Sequence, residues 1–219
     1  GLGDVYKRQG YSPIQLINNF WVSIWSGASR FEHLEVTRMD KVIQKIFGWT
    51  KMAGHKSFQR YFKKFTQADN QRVFTEMFNW FFKQMKFDNY TLDLDSTILS
   101  RYGRQQGAKK GYNPKKPGRN SHHPLIAFVS KVLMTVNFWL RSGNTYTTNN
   151  FYSFLENTFE RLSGKTIGLL RADSGFNDKK IFDYLETRSK PINYILAAKF
   201  YRPLTLAIHR EKTYLRLDE

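Results

Sequence analysis

Asp95 and Asp173 are the residues whose type and setting suit chemistry on a phosphodiester. Asp95 sits in Tyr90-Thr-Leu-Asp-Leu-Asp-Ser-Thr-Ile98, an alternating run rich in β-formers that reads as a strand. Asp173 closes a short apolar strand, Thr166–Ala172, just before the turn Ser174-Gly175-Phe176. The two lie 78 residues apart, so only the fold can bring them together. In an open α/β sheet the carboxyl ends of neighbouring strands form the usual crevice for a site. Two hard oxygen donors converging there suit an octahedral Mg²⁺. One such ion can activate water or a 3′-hydroxyl while another steadies the leaving oxygen of a phosphodiester. Asp93 competes with Asp95, because residues two apart in a strand face the same side. A carboxylate that merely caps a turn is the bland alternative for any of them.

A polyanionic partner is suggested by the charge. Thirty-five Lys and Arg against 18 Asp and Glu leave a formal net charge of +17 and a pI near 10.0. Nucleic acid is the leading partner for such a surplus, an acidic membrane surface the second. The cations are not spread evenly. Arg101–Asn120 carries Arg101, Arg104, Lys109, Lys110, Lys115, Lys116 and Arg119 with no acid at all. Four Gly and two Pro in the same stretch predict a loop rather than a helix or strand through much of it. Such a loop can follow a phosphate backbone, and Tyr102 and Tyr112 can stack on bases. Upstream, Lys56, Arg60, Lys63 and Lys64 recur at helical spacing and share one broad face. That face either lies against phosphates, with salt-sensitive contacts, or is a solvated surface.

The elements that must position these groups can be read from periodicity. Residues 11–88 predict helices, with Ser57 as the cap of one running to Phe65 and an aromatic-rich helix after it. From Tyr90 the pattern changes to three strands, at Tyr90–Ile98, Leu125–Val129 and Val132–Leu140. A helix over Asn149–Leu162, the strand Thr166–Ala172, a helix over Asp178–Thr187 and a strand over Tyr194–Ala198 follow. Strands joined by helices imply parallel neighbours, so the expectation is an α/β protein with a ribonuclease H-like mixed sheet flanked by helices. No cysteine is present, which excludes disulfides, Cys-ligated zinc and a thiol nucleophile. No apolar run reaches the roughly 20 residues of a membrane span.

Several segments closely resemble bacterial insertion-sequence transposases with a DDE catalytic domain. They are Leu92-Asp-Leu-Asp-Ser-Thr97, Arg101-Tyr-Gly103, Gln106–Arg119, Ser121-His-His-Pro-Leu125, Leu140-Arg-Ser-Gly-Asn144, Leu170-Arg-Ala-Asp-Ser-Gly-Phe176 and Tyr194-Ile-Leu-Ala-Ala-Lys199. The resemblance covers roughly residues 11–208. It implies cut-and-paste transposition, in which element ends are nicked and the freed 3′-hydroxyl attacks target DNA. It also implies three acidic residues holding two divalent ions, Mg²⁺ or Mn²⁺. Of these, the first acid maps onto Asp95 rather than Asp93 and the second onto Asp173. The basic stretch near Lys56–Lys64 corresponds to an N-terminal DNA-binding segment. DNA, as element ends and target, is the implied partner, with a homodimer on paired ends. A cytoplasmic, nucleoid-associated location is the accompanying expectation.

The third acid of the pattern, a Glu in a helix well beyond the second Asp, has no match. Glu211 comes too early, so the expectation is a C-terminally truncated chain. The expected plan is a non-native scar over residues 1–9, a helical DNA-binding region over 10–88 and a ribonuclease H-like catalytic domain over 89–208. Residues 209–219 would begin a further part. Two rivals accompany this reading: another ribonuclease H-like nuclease, and a DNA-binding remnant without catalysis.

Overall fold

The computed structural model of the chain describes residues 10–86 and 88–211, so the expectations for residues 1–9 and for most of 209–219 lie outside the described residues. Two units divide the chain between Arg72 and Val73, inside a helix.

The first unit contains α1 (Pro13–Trp25), α2 (Leu34–Met39), α3 (Lys41–Ile46), α4 (His55–Phe62) and the start of α5 (Gln67–Gln84). Helix α1 begins where it must, with Pro13 in the first turn and the Ser12 hydroxyl accepting from Gln15 N. Leu16, Leu34, Ala53 and Phe58 form its small core, packed round by Phe20, Phe31 and Phe62. Helix α4 does not start at the expected cap. Gly54 occupies that position, and Ser57 lies within the first turn. The missing cap is supplied from α2, where Glu35 Oε1 accepts from His55 N at 2.8 Å. The helix also stops at Phe62, three residues short of the expected end.

The second unit is built on a five-stranded mixed sheet. Its strands are β1 (Tyr90–Ser96), β5 (Leu125–Val129), β6 (Met134–Trp139), β7 (Ile167–Ala172) and β8 (Asn193–Leu196), in the order β6-β5-β1-β7-β8. Strands β1, β5 and β6 form an antiparallel meander, and β7 and β8 extend it in parallel. Helix α6 (Phe151–Arg161) leads into β7, and α7 (Lys179–Glu186) leads from it into β8. This is the ribonuclease H-like order expected from the sequence. A last helix, α8 (Arg202–Arg210), follows β8 and was not anticipated.

Alternation explains which face of β1 is buried. Tyr90, Leu92 and Leu94 enter the core while Thr91, Asp93 and Asp95 point the other way. The core continues through Leu125, Ala127, Val129, Val136 and Leu170 of the sheet to Phe82, Phe154, Leu155, Ile181 and Leu185 of the helices. Each fully buried Leu contributes about 1.5–3 kcal/mol over an exposed one. Helix α6 is fixed on β6 by polar contacts as well. Asn137 Nδ2 donates to Asn157 Oδ1 at 3.1 Å and to Thr158 Oγ1 at 3.0 Å, and Arg161 donates to Val136 O at 3.2 Å.

The stretch after β1 is less irregular than its composition suggests. Strands β2 (Leu99–Ser100), β3 (Lys109–Lys110) and β4 (Asn120–His122) form a small antiparallel sheet, in the order β2-β4-β3. One of the glycines that argued for a loop, Gly111, makes this sheet possible together with Gly143. Gly111 and Gly143 pass backbone to backbone: a Cβ on Gly111 would fall 1.8 Å from Gly143 O, and one on Gly143 2.4 Å from Lys109 O. Asn113, buried, ties the span by donating to Ser100 Oγ at 2.9 Å and accepting from Lys116 N at 3.0 Å. Among the described residues no helix is long and apolar enough to cross a membrane.

Candidate functional site

Strands β1 and β7 run in parallel, with Asp93 beside Arg171 and Leu94 beside Ala172. Asp95, the next residue of β1, and Asp173, the first residue past β7, follow the last of these pairs at the carboxyl ends of strands about 4.8 Å apart. Both aspartates are exposed. Asp95 Oδ1 accepts from Ser96 N at 2.7 Å, and Asp173 Oδ1 accepts from Gly175 N at 2.9 Å, capping the short 3-10 turn Ser174–Phe176. Neither takes part in any salt bridge among the described residues, although cations outnumber acids two to one. A pair of anionic, hard oxygen donors left without a cation fits a divalent metal ion.

Asp93 is differently placed. Its carboxylate takes a bidentate pair of bonds from Arg171, at 2.7 Å from Nε and 2.8 Å from Nη2, and a further one from the Ser130 hydroxyl. The Arg171 guanidinium, followed by Ser130, holds the Asp93 carboxyl below its ordinary value of 3.8.

Three groups missed by sequence reasoning line the turn beside Asp95. His123, buried, faces Thr145 O through Nδ1 at 2.8 Å and Ser96 Oγ through Nε2 at 3.2 Å. A carbonyl only accepts, so Nδ1 of His123 donates to Thr145 O, and Nε2 can accept a hydrogen bond from the Ser96 hydroxyl. Ser96 Oγ in turn lies 3.2 Å from Thr147 Oγ1. Thr147 also borders the other carboxylate turn. A Cβ on Gly175 would stand 2.9 Å from Asp173 Oδ1 and 3.3 Å from Thr147 Oγ1, so only glycine leaves both where they are. Behind the Asp173 turn, Lys199 Nζ donates to Asn177 O at 3.0 Å. The resemblance contained Ser96, His123 and Lys199 within its motifs, but no periodicity marks His123 or Thr147 as a neighbour of the Asp95 turn.

The expected DNA-binding cations divide into two kinds. Arg104, Lys109, Lys110, Lys115, Lys116 and Arg119 are exposed, with Lys109 and Lys110 forming strand β3. Lys116 and Arg119 stand over the Tyr102 ring, at 4.6 and 5.4 Å from its centroid. Arg101 is half-buried and structural in its contact, since its Nε donates to His122 Nδ1 at 2.8 Å. In the first unit Lys56 and Arg60 project from α4, whereas Lys63 caps its end and Lys64 follows it; all four are exposed. Among the described residues no group of three or more His, Asp or Glu gathers to hold a metal ion, so Asp95 and Asp173 have no third acid beside them.

Residues 4–218 match the protein family described as Transposase DDE domain group 1, and the chain belongs to that family. No curated protein matches the sequence at a significant level. Among solved structures, piggyBac transposase in a synaptic complex with hairpin DNA is similar with a TM-score of 0.51 and 13% identity, over 95% of this chain and 48% of that one. The Mos1 mariner paired-end complex with Mn is similar with a TM-score of 0.35 and 15% identity, over 97% and 70% of the two chains. The chain thus spans about half the length of piggyBac transposase, and at this identity the likeness is one of fold.

Proposed function

We propose that this member of the DDE transposase family cleaves the strand ends of a mobile DNA element and joins them to target DNA, using Asp95 and Asp173 to hold Mg²⁺ or Mn²⁺. One observation carries the reading: two exposed carboxylates with no salt-bridge partner among the described residues stand at the carboxyl ends of adjacent parallel strands in a strongly basic chain. A bound divalent ion would supply Lewis-acid stabilisation of the phosphodiester oxygens there. The protein's own residues do the rest. Ser96, His123 and Thr147 hold the Asp95 turn in place by hydrogen bonds. Gly175 N orients the Asp173 carboxylate. Arg104, Lys109, Lys110, Lys115, Lys116 and Arg119 bind phosphates along the entering strand, and Tyr102 between two cations offers a face for a base. Lys56, Arg60, Lys63 and Lys64 form a second phosphate contact. Pairing of two element ends by a homodimer belongs to the same proposal.

The test is cleavage and joining of element-end DNA in Mg²⁺ and in EDTA, with the unaltered protein, Asp95→Ala and Asp173→Ala. Metal-dependent nicking followed by strand joining, lost in both variants, is the expected result. Equal nicking by all three proteins would sink the assignment. Degradation of RNA–DNA hybrid without joining would favour a ribonuclease H-like nuclease instead.

A further inference from the structure

We infer that Arg141 is a positioning residue for the two-carboxylate site, locking the loop 142–150 so that Thr147 stands between the Asp95 turn and the Asp173 turn. The inference rests on the reading that Asp95 and Asp173 hold a divalent ion.

Arg141 lies just beyond β6 and is only 7% exposed. Its guanidinium is spent on backbone carbonyls. Nε donates to His123 O at 3.0 Å, and Nη1 to Tyr146 O at 3.0 Å, Thr147 O at 3.3 Å and Asn149 O at 2.6 Å. One side chain thus fastens three carbonyls of the loop to the connection between β4 and β5 that carries His123. No carboxylate pairs with it among the described residues, and Nη2 is buried without a hydrogen-bond partner. Burial pushes the guanidinium down to about 10.

A buried cation without a counter-ion is costly, and closing a surface loop does not require one. What the arrangement gains is rigidity at one place. His123 is held twice: its carbonyl by Arg141, its ring by Thr145 O of the same loop. The ring then meets Ser96, next to Asp95, while Thr147 reaches Ser96 on one side and borders Gly175, beside the Asp173 carboxylate, on the other. The loop also carries Gly143, against which the basic β3–β4 hairpin packs. Arg141 therefore couples the hairpin that carries cations to the spacing of the two acids. Lysine keeps the charge but offers one ammonium on a flexible stem, so it cannot bridge four carbonyls at once.

Calorimetric titration of the full chain with Mn²⁺ alone tests this, with folding followed by circular dichroism. Groups that orient metal ligands typically change affinity ten- to a hundredfold. Arg141→Lys is expected to lose about tenfold in Mn²⁺ affinity and Thr147→Val about threefold, well below either variant's Tm. A merely structural role would lower Tm and leave the Mn²⁺ affinity of the folded protein unaltered. A folded Arg141→Lys with unaltered Mn²⁺ affinity overturns the inference. If Arg141→Lys does not fold, Thr147→Val decides, and unaltered affinity there overturns it equally. Equal Mn²⁺ binding by the unaltered chain and Asp95→Asn would instead overturn the metal-site reading, and this inference with it.

Discussion

Two residues apart on the same face of β1, Asp93 and Asp95 meet opposite surroundings. Asp93 lies inside the β1–β7 ladder, where the register delivers Arg171 directly beside it and Ser130 closes the clasp. Asp95 lies one residue past the last β1–β7 pair, as does a second acid, Asp173, on the neighbouring segment. The same side chain is a structural anion in one place and, in the proposed function, an open ligand in the other. The difference lies entirely in what the neighbouring strand presents. Mid-strand carboxylates can be neutralised by a cross-strand partner; strand-end carboxylates open to the crevice, where a cation from solution can reach them.

The contrast breaks most visibly in activity. A divalent ion contributes several kcal/mol to the transition state of phosphodiester chemistry, so Asp95→Ala or Asp173→Ala should lower strand cleavage by on the order of a thousandfold. Asp93→Asn should keep most of the rate; equal loss in the three variants would erase the distinction. Gly175→Ala sharpens it without altering an acid. Its Cβ would lie 2.9 Å from Asp173 Oδ1, which must swing away, and Mn²⁺ affinity is expected to fall about tenfold with little change in Tm. Stability should show the reverse ranking. Asp93→Asn removes a bidentate pair that is half-exposed, costing roughly 1 kcal/mol or a Tm fall of about 2–4 °C, whereas Asp95→Asn should leave Tm level.

The smallest effect is on pH dependence. The folded state holds Asp93 below its ordinary 3.8. Its contribution to stability is therefore complete above that value and is lost as pH falls through the lowered one. Acid titration of Tm should show a shallower fall below about pH 4 in Asp93→Asn than in the unaltered chain. Identical slopes would mean that the clasp does not form in solution.

Much of this was legible before the fold. Alternation in Tyr90–Ser96 and the apolar run before Asp173 are properties of local sequence, and they gave both strands and the faces of their acids. The mixed order followed, because helices between strands force parallel neighbours. What could not be read were contacts set by the fold alone. Arg171 becomes the partner of Asp93 only through cross-strand register, so Asp93 and Asp95 looked equivalent until the resemblance separated them. The small β2-β4-β3 sheet was hidden because its glycines signal loops, while here they permit close passage at Gly143. Glu35 replaced the expected Ser57 cap from a different helix, a substitution that no window of local sequence contains. Arg141 stood within the Leu140–Asn144 motif with no role read from it, and its burial depends on carbonyls gathered from two segments.

The central claim is that the strand-end pair, not the mid-strand acid, holds the metal. Titrating the unaltered chain, Asp93→Asn, Asp95→Asn and Asp173→Asn with Mn²⁺, and following the free ion by electron paramagnetic resonance, tests it most directly. The account predicts that Asp93→Asn retains the binding site and that Asp95→Asn and Asp173→Asn each lose it. Loss of binding in Asp93→Asn, with Asp95→Asn binding as before, would contradict it.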